Sequence, residues 1–82
     1  MYTVYILRTS RATLYTGITN NLEKRMAEHK LKGKKSAKYM RAFDSFKLVY
    51  TEKFVTRGKA LKREAEIKKL TKNKKESLIN NI

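Results

Sequence analysis

Two stretches near the start of the chain, Tyr2-Thr3-Val4-Tyr5-Ile6-Leu7 and Thr13-Leu14-Tyr15-Thr16-Gly17-Ile18, are rich in β-branched and aromatic residues. Such residues suit a pleated, half-buried surface and predict strands. The short polar run Thr9-Ser10-Arg11-Ala12 between them predicts a turn, so the pair reads as a hairpin. The period then changes. Asn20 is a candidate N-cap, with Glu23 three residues later where a capping-box carboxylate belongs. Leu22, Met26 and His29 follow at i, i+4 and i+7 as one narrow helical stripe. Gly33, after a Lys-rich turn, predicts the end of that helix. Lys30 to Lys38 reads as a basic loop, and Ser36 to Arg41 as a short helical turn. Phe46 to Phe54 predicts a third strand, with Leu48, Tyr50 and Phe54 alternating with Lys47 and Lys53. Thr56 caps a long helix expected to run to about Leu70. Asn73 opens a last short helix carrying Leu78, Ile79 and Ile82. The order β-β-α-β-α-α predicts an α+β fold: a small three-stranded antiparallel sheet flanked by helices, in a single domain over residues 1–82. Three strands cannot cover their own faces, so the helices must pack on the sheet.

Composition narrows the function. The 82 residues include 21 Lys and Arg against 7 Asp and Glu, a formal net charge of +14, and no Cys, Pro or Trp. Solubility alone asks for a net charge of only about 2–8. A domain charged to this extent repels itself and fits an anionic partner. Nucleic acid is the first candidate, because neutralising phosphates releases counterions. An anionic membrane surface is the second. No apolar run approaches the roughly 20 residues of a membrane span. Without Cys there is neither a disulfide framework nor a thiolate metal site. The expected setting is therefore cytoplasmic, and self-repulsion favours a monomer.

The informative residues are polar ones in costly places. At about 100° per residue, Arg25 falls about 60° and His29 about 20° from Leu22, so both edge the apolar stripe. Lys24 and Glu28 point the other way. Arg25 and His29 are i, i+4 neighbours and form an electropositive cluster suited to phosphate. In the plainer reading, Arg25 snorkels over the core and His29 is a satisfied semi-buried residue. On the long helix, Ala60, Leu61, Ile67 and Thr71 define an inward arc, and Glu64 falls about 40° from Ala60, inside it. A carboxylate there needs a cation. Lys68 at i+4 is one candidate, and a divalent metal held by one carboxylate, waters and substrate phosphate is the other. On the hairpin, an odd-numbered turn puts Tyr5, Tyr15 and Gly17 on one face. Gly17 then leaves room for a ligand or a neighbouring backbone. The plainer reading of the two tyrosines is a stabilising cross-strand pair.

The ordered set Val4-Tyr5-Ile6, Tyr15-Thr16-Gly17, Arg25, His29 and Glu64 resembles the GIY-YIG nuclease domain over nearly the whole chain. Val4 stands where the family has Gly. The stretches Ala37-Lys38-Tyr39-Met40-Arg41 and Lys47-Leu48-Val49-Tyr50 look like the small stand-alone bacterial branch. The resemblance implies a divalent-metal-dependent DNA endonuclease of low sequence specificity, possessing a Mg²⁺ or Mn²⁺ ion held by Glu64. In that scheme Arg25 stabilises charge on the phosphoryl oxygens, while Tyr15, with Tyr5 and His29 nearby, orients or deprotonates the attacking water. A phenol is a poor base at its ordinary pKa of ~10, so Tyr15 and His29 both stand as candidate bases. The family's supporting Asn on the last helix falls near Glu76 here, flanked by Asn73 and Asn80. Lys30, Lys34, Lys35 and Lys38, with Tyr39, Arg41 and Gly17, are the expected nucleic-acid contacts. Two alternatives share these features: a module of the same fold that binds nucleic acid without cutting it, and a basic ribosome-associated protein.

Overall fold

Thr3 to Arg8 of the first hairpin strand each have a partner across the turn. In the computed structural model, which describes residues 1–31 and 45–80, with the side chains of 30 and 31 excepted, β1 (Tyr2–Thr9) pairs antiparallel with β2 (Leu14–Thr19). The loop between them closes on threonines. The Thr9 amide donates to the Thr13 carbonyl and the Ala12 amide to the Thr9 carbonyl, both at 2.9 Å. The Thr9 and Thr13 hydroxyls meet at 2.6 Å. Ser10, Arg11 and Ala12 thus make the odd-numbered loop that puts Tyr5, Tyr15 and Gly17 on one face. Ala12 reaches the left-handed region, with φ 63°, to make this possible.

β3 (Phe46–Phe54) pairs antiparallel with the other edge of β1, so the sheet order is β2-β1-β3 and β1 is central. A β-bulge interrupts this pairing: Tyr50 opposes Ile6 but Leu48 opposes Leu7, which leaves Val49 as the extra residue. An unbroken strand would put Phe46, Leu48 and Tyr50 on one face. The bulge reverses the phase instead. Tyr50 and Phe54 join the cluster around Val4 and Ile6, and Phe46 joins the opposite cluster around Tyr5 and Leu7. Leu48, expected to pack with Tyr50, is left 40% exposed.

The helices divide between these two faces. α1 (Leu22–Leu31) lays Leu22 and Met26 against Tyr5 and Leu7. Its cap is Asn21 rather than Asn20: the Asn21 side-chain oxygen accepts from the Lys24 amide at 3.1 Å. The Asn20–Glu23 capping box therefore does not form. α2 (Arg57–Lys68) begins at Thr56, whose hydroxyl accepts from the Lys59 amide, and buries Ala60 and Ile67 on the Val4/Ile6 face. α3 (Lys72–Asn80) adds Ile79 and Leu78 to that cluster. Thr71 caps α3 through the Lys74 amide and is exposed, so it belongs to no inward arc of α2. The expected end near Gly33 and the turn over 36–41 lie outside the described residues, as does Ile82. No helix among the described residues is long and apolar enough to cross a membrane.

A left-handed alanine is strained by its Cβ, while glycine is not. Ala12→Gly is expected to raise the unfolding free energy by about 0.5–1 kcal/mol in urea titration, the relief of strain outweighing the lost chain stiffness.

Candidate active site

The Tyr5/Leu7 face of the sheet carries the cluster. Tyr5 sits on the central strand directly opposite Gly17, and Tyr15 is opposite Leu7. A Cβ on Gly17 would lie 2.5 Å from both Cζ and the hydroxyl of Tyr5. The room left by the glycine is therefore filled by the phenol, which lies across β2 toward the sheet's edge. Gly17 itself is buried, so it serves Tyr5 and is not open to a nucleic acid as the sequence suggested. Tyr15 is half-buried, next to the fully covered Tyr5.

α1 brings His29 down onto this pair. The ring centroids lie 6.1 Å from Tyr5 and 5.8 Å from Tyr15, edge-on to both, and Tyr5 to Tyr15 is 6.4 Å. Phe46 closes the fourth side at 6.0 Å. His29 is 1% exposed, and its Nε2 is 3.0 Å from the Tyr5 hydroxyl. Its Nδ1 is buried without a partner. An orphan lone pair costs less than an orphan N–H, which places the proton on Nε2, donating to the phenol oxygen. Burial pushes the His29 pKa down and the Arg25 charge adds to this, so the ring is neutral at pH 7.

Arg25 is half-buried at the edge of the stripe and donates to the Tyr5 oxygen as well. The Tyr5 oxygen is thus met from two successive turns of α1. Burial pushes the Tyr5 pKa up to about 12; the Arg25 hydrogen bond opposes the rise, and the Tyr15 and Glu64 charges add to it. Tyr5 is thus a neutral phenol at any ordinary pH. Arg25 also pairs with Glu28 at 3.1 Å, and Glu28 is 19% exposed. Glu28 does not point away as expected. Its i+3 spacing from Arg25 was the available signal.

Glu64 arrives from the other face. Ala60 and Ile67 seat α2 on β1, and Glu64 projects from the flank toward β2, close enough to act on the Tyr5 phenol. Its side chain is 17% exposed and pairs with Lys68 Nζ at 3.5 Å. The described carboxylates are not equally committed. Glu52 takes Arg63 Nε on both oxygens, Glu28 takes Arg25, and Glu76 takes Arg8. Glu64 is held only by a lysine that is 56% exposed. Such an i, i+4 pair is worth about 0.3–0.5 kcal/mol, so a divalent cation can displace it. Among the described residues no three His, Cys, Asp or Glu side chains gather around a metal position. The donor set is thus one hard carboxylate. It suits Mg²⁺, which keeps several waters and leans on substrate phosphate.

Asn73 and Asn80 are exposed on α3, and Glu76 is bonded to Arg8 rather than to any site residue. Lys34, Lys35, Lys38, Tyr39 and Arg41 lie outside the described residues, as does the Lys30 side chain. A network missed in the sequence joins Tyr50, Glu52 and Arg63 across β3 and α2.

Residues 1–77 match the GIY-YIG catalytic domain. A UPF0213 protein of Natronomonas pharaonis is 46% identical over 76 residues, covering 93% of this chain and 87% of its own. A UPF0213 protein of Clostridium perfringens is 50% identical over 76 residues, covering 93% and 80%. The solution NMR structure of a UPF0213 protein from Bacillus halodurans superimposes with a TM-score of 0.62 at 37% identity, covering 98% of this chain and 84% of that one. The chain belongs to the GIY-YIG family, which has a nuclease-type fold. Within it, the relatives are the small stand-alone UPF0213 proteins, from bacteria and archaea.

Two outcomes follow from this packing. Gly17→Ala should destabilise the fold by about 1–3 kcal/mol through overpacking against Tyr5, and most of that cost should vanish in a Tyr5→Ala background, measured by thermal denaturation of all four proteins. His29 is the chain's one histidine. Its lowered pKa means the unfolded chain binds the extra proton first. Its contribution is therefore complete above the unfolded pKa of about 6.5 and is lost as pH falls through the folded value. The urea midpoint should drop between pH 7.5 and 5.5, and His29→Gln should flatten that drop.

Proposed function

We propose that the protein is a divalent-metal-dependent DNA endonuclease that hydrolyses phosphodiester bonds with low sequence specificity, acting in the cytoplasm on backbone structure, as repair or recombination requires. The observation that carries this reading is the convergence of Arg25, His29 and the two phenols on one face, with a lightly held Glu64 at its border. Bound Mg²⁺ or Mn²⁺ would supply Lewis-acid polarisation of the phosphoryl and leaving oxygens.

The chain's own residues do the rest. Glu64 is the carboxylate that exchanges Lys68 for the ion. Arg25 keeps its proton, because hydrogen bonds to Tyr5 and Glu28 outweigh the burial that opposes its charge. Its guanidinium sits ready for charge building on the phosphoryl oxygens. Tyr5, as covered as His29, stays a neutral phenol that accepts from His29 and Arg25 and holds both in place beside Tyr15. Of the two candidate bases, His29 is sealed behind Tyr5 at 1% exposure, whereas Tyr15 meets solvent. Tyr15 is therefore the group that touches the attacking water, and His29 acts on it only through the phenols. Affinity without sequence comes from phosphate contacts. Lys69 at the end of α2 and Lys72 and Lys74 on α3 offer exposed cations, and the sequence from Lys30 to Arg41 supplies further basic residues.

Purified protein should nick supercoiled plasmid with Mg²⁺ or Mn²⁺ and stop on addition of EDTA. Arg25→Ala and Glu64→Ala should each lower the rate by about 10²–10³-fold, the usual cost of removing a charge-stabilising group, with nucleic-acid affinity changed far less. Plasmid binding without metal-dependent nicking in a panel of single strands, duplexes, flaps, junctions and RNA would instead define a non-catalytic binding module.

A further inference from the structure

Arg63 precedes Glu64 on α2 but serves the opposite flank. Its Nε donates to both Glu52 oxygens at 3.1 Å, and a terminal nitrogen reaches Glu66 at 3.3 Å. The Tyr50 hydroxyl donates to the same Glu52 carboxylate at 2.5 Å. Tyr50 and Glu52 oppose Ile6 and Val4 in the β1–β3 register. Both therefore stand on the face where α2 lies.

The mechanics follow from the helix period. Ala60 and Ile67, each 0% exposed, are the line along which α2 rests on the sheet. At about 100° per residue, Arg63 leaves that line toward β3 and Glu64 leaves it toward β2. One small residue and one isoleucine resist sliding but do little against rolling about the helix axis. A roll of about 20° carries a side-chain tip on a cylinder of about 5–6 Å radius through about 2 Å. That is enough to take a carboxylate out of reach of a shared ion and phosphate. An Nε–H shared between both oxygens of one carboxylate, with a second guanidinium nitrogen held by Glu66, is directional, so it resists this rotation where apolar contact does not.

We infer that the Arg63–Glu52–Tyr50 clamp fixes the roll of α2 and so sets the position of the Glu64 carboxylate at the border of the site. Arg63 is a positioning residue: it touches neither substrate nor metal and acts through Glu64. The inference rests on the reading of Glu64 as the metal carboxylate.

The test is a Mn²⁺ titration of nucleic-acid-free protein carrying ¹³C-labelled glutamate, run beside plasmid nicking for wild type, Arg63→Met, Arg63→Lys and Tyr50→Phe. In the wild type, Mn²⁺ should broaden the Glu64 carboxyl signal before the other glutamates. In Arg63→Met the same broadening should need about tenfold more Mn²⁺, and kcat should fall about 10–100-fold with the KM for plasmid unchanged, as for an ångström-scale misplacement. Arg63→Lys should recover part of both effects. Tyr50→Phe keeps the ring and loses one hydrogen bond, so it should move both in the same direction by about threefold; it carries the test if Arg63→Met does not fold. Wild-type Mn²⁺ titration and nicking in both Arg63→Met and Tyr50→Phe would overturn the clamp alone. Failure of Mn²⁺ to single out Glu64 in the wild type would overturn the metal assignment, and the clamp's role with it.

Discussion

A phenol buried in the middle strand of a three-stranded sheet is the constraint on which the site depends. Tyr5 cannot stand upright in its face without wasting a polar group, so it lies flat, and only a glycine at position 17 permits that. Lying across β2, it must have its oxygen satisfied. His29 and Arg25 do so from successive turns of α1. An unmet hydroxyl there would cost about 1–3 kcal/mol. The same requirement therefore docks the first helix and gathers the imidazole, the guanidinium and the second phenol. The candidate site and the fold share one hydrogen-bonding problem on this face.

Carboxylates are scarce in a chain carrying +14, and their distribution sorts structure from chemistry. Two of the described ones tie elements together through arginines: Arg8 to Glu76 joins β1 to α3, and Arg63 to Glu52 joins α2 to β3. The planar guanidinium makes such links directional. Glu64 is left to a flexible, solvated lysine. Of the ion pairs among the described residues, this is the one whose cation lets go most easily.

Much of this was readable before any coordinates. The element order, the Phe46–Phe54 strand and the Thr56 cap follow from local pattern, because propensity and capping are local properties. The inward bias of Arg25, His29 and Glu64 follows from helical period alone. What stayed hidden depends on contacts between distant residues. The Arg63–Glu52 pair spans two elements, and the bulge at Val49 reverses a strand that alternates smoothly on paper. Gly17 looked like open space because the sequence does not tell which neighbour will fill a missing side chain. Asn20 and Asn21 are equally good caps by type, and only the path of the chain leaving β2 decides between them.

The central strand comes first in the chain and meets its two neighbours on very different terms. β2 follows across a short loop, whereas Phe46 must close on Thr9, and Phe54 on Tyr2, across the whole intervening chain. Closing a hairpin takes microseconds, while distant pairing must first meet a larger loss of chain entropy. Tyr5, Tyr15, Arg25 and His29 all lie within the early local segment; Glu64 comes only with the late one. Topology thus suggests a chronology: the hairpin and first helix can gather the phenols, the guanidinium and the imidazole before the flank that carries Glu64 is in place.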